Sequence, residues 1–107
     1  MSDLPAGEYQ RLTVMLRARD HSHHHLLATE LLSRARKAHL AGATLLEGVE
    51  GDGRSGAHHH QHLLRDDAPL SLVIIDRRES LAGFLADCAE LLDDAVVVLD
   101  DVDAFRA

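Results

Sequence analysis

Apolar residues recur in this chain with two different periods, and the order in which the periods alternate restricts the fold more than any other feature. Residues 11–17 alternate between two faces, with three aliphatic side chains on one of them, so they are predicted to form a strand. Over residues 25–40 apolar side chains recur every three or four positions, which predicts an amphipathic helix that is stopped by Gly42. The same two patterns predict the other elements, which are strands at 43–50, 70–76 and 95–100 and a second helix at 79–92.

The predicted element order, β-α-β-β-α-β, is that of the ferredoxin-like α+β fold. Right-handed crossovers place both helices on one face of an antiparallel sheet, whose strands follow the spatial order 4-1-3-2. We therefore predict one such domain over residues 10–107, preceded by a flexible tail over 1–9. A long loop is predicted at 51–69, and Gly48 inside the second strand suggests a β-bulge.

The third and fourth predicted strands are apolar on both faces. In the third strand Val73 and Ile75 lie opposite Leu72 and Ile74, and residues 96–99 of the fourth strand are aliphatic throughout. Two helices cover only one face of a sheet, so the other face leaves a large apolar patch. Soluble monomers rarely expose such a patch, and the chain is therefore predicted to be a homo-oligomer.

The composition argues against several classes of function. The formal net charge is −7 and the aromatic residues are one tyrosine and two phenylalanines, so a nucleic-acid partner is not expected. The aliphatic runs are far shorter than the ~20 residues that span a bilayer, and the first residues lack a signal-peptide pattern, so we expect a cytoplasmic protein with no membrane insertion. Cys88, the single cysteine, excludes an intrachain disulfide and is predicted to be a core residue of the second helix. No catalytic constellation stands out, so an enzyme is not expected.

Histidine is abnormally frequent, and eight of the nine histidines form two internal clusters. Neutral imidazole is a leading ligand for Zn2+, Cu2+ and Ni2+, and an extended or a helical backbone would each direct two or three nitrogens per cluster to one side. The predicted topology brings both clusters to one end of the sheet, with Asp20, Asp93 and Asp94 as candidate oxygen ligands. His39 is predicted at the opposite end. The candidate metal ligands are His21, His23, His24, His25, His58, His59, His60 and His62.

Residues 42–56 resemble the second strand and the loop base of PII signalling proteins. They begin with a Gly-x-Thr motif and end with a glycine-arginine motif at 51–54. The closer resemblance is to relatives of the PII proteins known as domain of unknown function 190. In those relatives a Leu-Ala-Gly-Ala-Thr segment, a Gly-Ile-Glu-Gly-x-Gly-like segment and a Leu-Leu-Arg segment recur in this order. The corresponding residues here are 40–44, 48–53 and 63–65.

The resemblance implies a PII-like homotrimer, with adenine nucleotides in the clefts between subunits and a long loop that docks on transporters, enzymes or regulators. The residues that match the loop base, and are therefore candidates for nucleotide binding, are Thr44, Gly51, Gly53 and Arg54. Glycines let backbone N–H groups approach phosphate oxygens, and arginine adds a bidentate contact. At residues 92–95, where PII proteins have a second glycine-rich, basic loop, this chain has Asp93 and Asp94. Carboxylates repel phosphate, so AMP, ADP or a different effector is expected rather than ATP.

The leading hypothesis is a non-enzymatic, PII-like sensor. Its effector would be an adenine nucleotide, a divalent transition metal held by the histidines, or both, and ligand contacts would order the long loop and regulate a partner such as a membrane transporter. One alternative is a protein that binds or buffers Zn, Cu or Ni without a signalling partner. Another leaves the histidines as a solvated surface that captures metal only in vitro. Arg77 and Arg78 are interpreted as surface charges, with nucleotide contact across a subunit boundary as the alternative.

Overall fold

The computed structural model describes residues 7–22, 25–48, 51–52, 58–59 and 68–107. Within them, four strands form the main sheet, two further strand pairs form short ladders, and two helices complete the predicted βαββαβ order. The strands are β1 (Tyr9–Arg17), β2 (His21–Ser22), β3 (His25–Leu26), β4 (Ala43–Glu47), β5 (Gly51–Asp52), β6 (His58–His59), β7 (Pro69–Arg77) and β8 (Val96–Val102). The helices are α1 (Leu27–Lys37) and α2 (Arg78–Asp87), and a 3-10 turn at Ala89–Leu91 follows α2.

The main sheet is antiparallel and has the strand order β4-β7-β1-β8, which confirms the predicted arrangement. The two long strands, β1 and β7, lie in the middle and are paired on both sides. The shorter strands β4 and β8 form the two edges. The fold is therefore the ferredoxin-like α+β fold.

The core lies between one face of the sheet and the two helices. Alternate residues of the central strands point to this side, and Leu12, Val14, Leu72 and Ile74 are completely buried. The helical side chains that complete the core are Leu27, Ala28, Leu31 and Ala35 of α1 and Leu81 and Phe84 of α2. The apolar residues of the strands and those of the helices thus pack against each other in one layer, and their burial stabilises the fold.

Helix α1 begins later than predicted. His25 and Leu26, the first residues of the predicted helix, belong to β3 and pair with β2. The Leu27 N–H then donates to the Asp20 carbonyl at 2.8 Å. This bond closes the β2–β3 hairpin and supplies an acceptor to the first turn of α1, so the helix starts only after the hairpin.

Helix α1 also ends earlier than predicted, in a Schellman motif. The Leu40 N–H donates to the Ala35 carbonyl at 3.2 Å and the His39 N–H to the Arg36 carbonyl at 3.0 Å. His39 accordingly has a left-handed backbone, with φ 57°, at a position that glycine usually occupies. Gly42, the predicted stop, has φ 72° and lies in the turn before β4. The prediction was wrong because it considered only glycine as the stop.

Helix α2 is likewise shorter than the predicted 79–92, since it ends at Asp87 and a 3-10 turn continues it. The Leu91 N–H donates to the Cys88 carbonyl at 2.8 Å. Residues three apart lie above one another in a 3-10 turn, so Cys88 and Leu91 are both buried. Burial raises the pKa of the Cys88 thiol, which keeps it protonated, as expected of a core residue.

Gly48 follows β4 and does not form the predicted bulge, because β4 pairs with β7 in regular register from Ala43 to Glu47. The Gly48 N–H donates to the Pro69 carbonyl at 2.7 Å. A Cβ atom on Gly48 would lie 2.8 Å from Pro69 Cγ, so close approach accounts for the glycine. Tyr9 and Pro69, predicted in the tail and the loop, are the first residues of β1 and β7.

The second face of the sheet, here called the open face, is apolar and exposed in the protomer, as predicted. Val73 is half-buried on this face. Five other apolar side chains are 38–54% exposed and come from all four strands: Met15, Leu46, Ile75, Val96 and Val98. Arg11 and Asp100, neighbours in the β1–β8 register, form a two-bonded ion pair with N–O distances of 3.2 and 2.7 Å. The open face is thus mainly aliphatic, with the small polar residues Thr13, Thr44 and Ser71 among its apolar ones and an ion pair on its β1–β8 side.

Candidate functional site

Three connections leave the main sheet at the same end, here called the loop end. In the register, Arg17 at the end of β1 lies opposite Pro69, and Glu47 at the end of β4 lies opposite Leu70. Strand β8 also begins at this end, opposite Met15. The segments after β1, after β4 and before β8 therefore start from one end of the sheet, as the topology predicts.

The histidine clusters belong to two of these segments. His21 lies in β2 and is exposed, and His25 lies in β3. His58 and His59 form β6, which pairs with β5. Four other predicted ligands lie outside the described residues: His23, His24, His60 and His62. Among the side chains that the structure describes, no three His, Cys, Asp or Glu residues are grouped to hold a metal ion, so the predicted metal site stays a prediction.

The predicted oxygen ligands lie at the loop end. One carboxylate oxygen of Asp20 accepts the Arg17 N–H at 2.8 Å, and this bond forms the turn after β1. Asp93 and Asp94 are exposed in the turn before β8. Asp20 therefore has a role in the turn, whether or not a metal binds.

An open cleft of about 550 Å3 lies at the loop end, beside the start of α1. Its apolar lining includes Leu26, Leu45 and Leu70, and its charged or titratable lining is Arg19, His21 and Glu47. Leu26 and Leu45 are 44% and 37% exposed. The lining contains both signs of charge, which indicates no single class of ligand.

The structure describes two of the four predicted nucleotide-binding residues, Thr44 and Gly51. Thr44 is exposed on the edge strand β4, opposite Val73, toward the far end of the sheet from the loop end. Gly51 lies in β5, beyond the loop end. Gly53 and Arg54 lie outside the described residues. Their joint role in nucleotide binding stays a prediction.

A second cleft, of about 520 Å3, opens at the opposite end of the sheet, here called the cleft end. Ligand pockets commonly have volumes of this size. It is lined by Tyr9, His39, Ala41, Gly42, Ile75, Asp76, Arg77, Phe105 and Arg106. The lining combines two aromatic rings, two arginines and a histidine, a set suited to an aromatic ligand that carries negative charge.

Asp76 holds this cleft together. Its side chain is buried, and its two carboxylate oxygens accept the Ala41 N–H and the Arg77 N–H, each at 2.7 Å. The first bond ties the turn after α1 to the end of β7, across 35 positions of sequence. Asp76 thus ties the turn that precedes Gly42 to the strand end that carries Arg77, and both of these residues line the cleft.

We expect Asp76→Ala to lower the free energy of unfolding by about 1–3 kcal/mol, because two backbone N–H groups lose a charged acceptor. Hydrogen exchange should also become faster at the Ala41 amide. Urea unfolding and amide exchange measure the two effects. Asp103→Ala, which removes an exposed carboxylate, is the control and should change stability by less than about 0.5 kcal/mol. Equal stability of the two variants would contradict the role assigned to Asp76.

Neither of the two arginines of the cleft, Arg77 and Arg106, forms an ion pair with a carboxylate in the part of the chain that the structure describes. Arg78, the next residue in the chain, differs in this respect, since it pairs with Glu8 and Asp101 at 3.2 Å each. The cleft end therefore carries local positive charge on an acidic protein.

Sequence reasoning missed most of this cleft. Its lining comes from the start of β1, the turn after α1, the end of β7 and the C-terminal residues, which no sequence motif joins. A prediction of the β1–β7 register, in which Tyr9 lies opposite Arg77, would have brought the start of β1 and the end of β7 together at this cleft. Arg77, for which nucleotide contact across a subunit boundary is the alternative interpretation of the sequence, lines this cleft.

Arg34 connects the two helices away from both clefts. It donates to Glu90 at 2.7 Å, to Glu30 at 3.2 Å and to the Asp87 carbonyl at 2.9 Å. The hydrogen bond from Arg34 lowers the pKa of Glu90 and raises that of Arg34 itself. This network accounts for the charged groups between α1 and the end of α2 without a ligand.

Among the described residues, neither helix has the length and apolar character needed to cross a membrane. A comparison with the curated proteins finds no match.

Solved structures with the same fold include CPII from Thiomonas intermedia K12, a nitrogen regulatory PII-like protein bound to ADP, AMP and bicarbonate. It is 18% identical, with a TM-score of 0.72, and the match covers 92% of this chain and 90% of that chain. A PII-like signaling protein from Thermus thermophilus is 15% identical over 90% of this chain and 88% of that one, with a TM-score of 0.64. CutA1 from Oryza sativa is 13% identical over 94% and 84% of the two chains, with a TM-score of 0.63.

At these identities the structural likeness shows the fold alone. The family model described as DUF190, Uncharacterized ACR, matches residues 9–104, which is most of the chain, and the chain therefore belongs to the DUF190 family.

Proposed function

We propose that this protein is a non-enzymatic, cytoplasmic, homotrimeric regulator that binds ADP or AMP and passes its ligand state to a partner through residues 51–69. The observation that carries the proposal is the cleft end, where Arg77 and Arg106 have no carboxylate partner among the described residues and lie with Tyr9 and Phe105 around a nucleotide-sized cavity. Arginines suit phosphate oxygens, and aromatic rings suit a base. The fold shared with CPII, which binds ADP and AMP, supports the same ligand class.

Two surfaces that a single copy leaves uncovered support the proposed trimer. One is the open face, and the other is the edge strand β4, all five residues of which are exposed. Thr44 on β4 and the loop base after Gly48 are separated by about 13 Å of extended chain. A nucleotide bound between two copies would meet Thr44 and Arg77 of one copy and Gly51, Gly53 and Arg54 of the next.

A diphosphate or monophosphate suits the charge of the molecule better than a triphosphate does. Asp93 and Asp94, both exposed in the turn before β8, lie at the loop end, which in the trimer the neighbouring copy would bring to the phosphates together with Gly51, Gly53 and Arg54. Like charges within a few Å repel, so ATP should bind more weakly than ADP.

The eight clustered histidines support a divalent transition metal, Zn2+, Cu2+ or Ni2+, as a second effector. Both clusters belong to segments that leave the sheet at the loop end. Metal there would act on the same segment that signals to the partner, for which a membrane transporter is the candidate. The alternative function is a metal-binding or buffering protein with no signalling partner.

Titration calorimetry of the purified chain with ADP, AMP and ATP, and separately with Zn2+, Cu2+ and Ni2+, tests these functions. The regulator should bind ADP and AMP more tightly than ATP, and Arg54→Ala should abolish that binding. The buffer should bind metal alone. Replacement of all eight clustered histidines by alanine should remove metal binding and leave nucleotide binding intact. A wild-type chain that binds neither ADP nor AMP would overturn the proposed function.

A further inference from the structure

His39 occupies a backbone position that favours a different residue. It follows the last turn of α1 with φ 57° and is exposed. The Schellman hydrogen bonds of His39 and Leu40 require this left-handed conformation. Glycine adopts it freely, whereas a residue with a Cβ atom is strained there. A histidine at this position thus makes the helix end less stable than a glycine would.

The same residue lies in the lining of the cleft at the cleft end. The titratable and charged groups that line the same cleft as His39 are Tyr9 from β1, Asp76 and Arg77 from β7, and Arg106 near the C-terminus. Both Asp76 oxygens accept backbone N–H groups. The imidazole therefore adds a third cationic or hydrogen-bonding group beside the two arginines. Non-glycine residues in strained conformations persist where they serve a site.

We propose that His39 is a phosphate-contacting residue of the nucleotide cleft, which makes AMP and ADP bind more tightly as the pH falls. The inference rests on the proposed nucleotide site. Histidine side chains gain a proton between about pH 8 and pH 5, and an imidazolium donates a charge-assisted hydrogen bond to a phosphate oxygen. The strain at φ 57° is retained because glycine would leave the cleft without this group.

Two variants separate binding from structure. His39→Gly should raise Tm by about 4 °C, since the strain is relieved, while AMP affinity at pH 6 falls about fivefold or more. His39→Asn also tolerates the left-handed conformation but carries no titratable proton. It should keep a wild-type Tm within a few degrees and lose the same affinity. At pH 8 both variants should bind AMP about as tightly as the wild-type chain does.

Proton uptake gives a readout that a purely structural role would not change. AMP is titrated calorimetrically into the full chain in two buffers of different ionisation enthalpy at pH 6.5, which counts the protons taken up. The measurement is repeated at pH 7.5, where the AMP phosphate, with a second pKa of about 6, is almost fully dianionic and has little proton to release. At this pH the wild-type chain should take up more protons than His39→Asn. If wild-type binds AMP and His39→Asn binds it equally tightly with the same proton uptake, this inference is overturned and the nucleotide site stands. If wild-type binds neither AMP nor ADP, the proposed function and this inference both fall.

Discussion

Val98→Asp is expected to convert the proposed homotrimer into monomers at micromolar concentration. Val98 is 42% exposed on the open face, opposite Thr13 in the centre of the β1–β8 ladder. Burying an unpaired carboxylate costs several kcal/mol, and a threefold assembly repeats the change in every copy. Because the side chain is solvated in the protomer, the fold itself should survive.

Light scattering coupled to size exclusion measures the mass directly. Ala82→Asp is the matched control, since it adds the same charge at an exposed position of α2. This control should remain a trimer, and circular dichroism should report folded protein for both variants. A trimeric Val98→Asp chain, or a monomeric wild-type chain, would show that the open face is not the interface between copies.

Arg77→Ala and Arg106→Ala should each weaken ADP binding about 10- to 100-fold. A hydrogen bond between charged groups contributes roughly 1.5–3 kcal/mol, and each 1.4 kcal/mol is a factor of ten in affinity. Both side chains line the cleft. The affinity of the double variant should fall below calorimetric detection.

Arg78→Ala provides a closely matched control, because it removes the same charge from the neighbouring residue. Arg78 is already paired with Glu8 and Asp101, so its loss should change ADP affinity less than threefold. Any general effect of net charge on an anionic ligand would appear equally in Arg77→Ala and Arg78→Ala. Equal loss in the two variants would therefore argue against a direct contact by Arg77.

The fold could be predicted from the sequence because its elements follow from local patterns that tertiary packing reinforces. Leu12 and Val14 of β1 and Leu81 and Phe84 of α2 are buried, as their spacing indicates. Element ends were less predictable. The sequence predicts a helix at His25, because no local pattern indicates the β2–β3 hairpin. His39 cannot be recognised as a helix stop from the sequence, because that role depends on a left-handed backbone rather than on residue type.

The cleft end could not be read from the sequence, because it is assembled by the sheet register. Arg77 and Arg78 are indistinguishable in the sequence, yet one lines the cleft and the other pairs with Glu8 and Asp101. Arg77 is the last residue of β7 and Arg78 is the first residue of α2, so the two side chains extend in different directions. The role of Asp76 cannot be predicted from the sequence either, because it depends on the turn at Ala41 lying beside the end of β7.

Two backbone hydrogen bonds hold the ends of the segment that connects β4 to β7. The Gly48 N–H donates to the Pro69 carbonyl at 2.7 Å, and the Ala18 N–H donates to the Ala68 carbonyl at 2.9 Å. Because the ends are fixed, the entropic free-energy cost of closing this segment rises only slowly with its length, by about 0.6 kcal/mol for each doubling. Insertions, deletions or whole grafts between these ends should consequently leave the sheet nearly as stable as before. The segment between β4 and β7 can thus be exchanged for another without rebuilding the sheet, in evolution and in protein engineering.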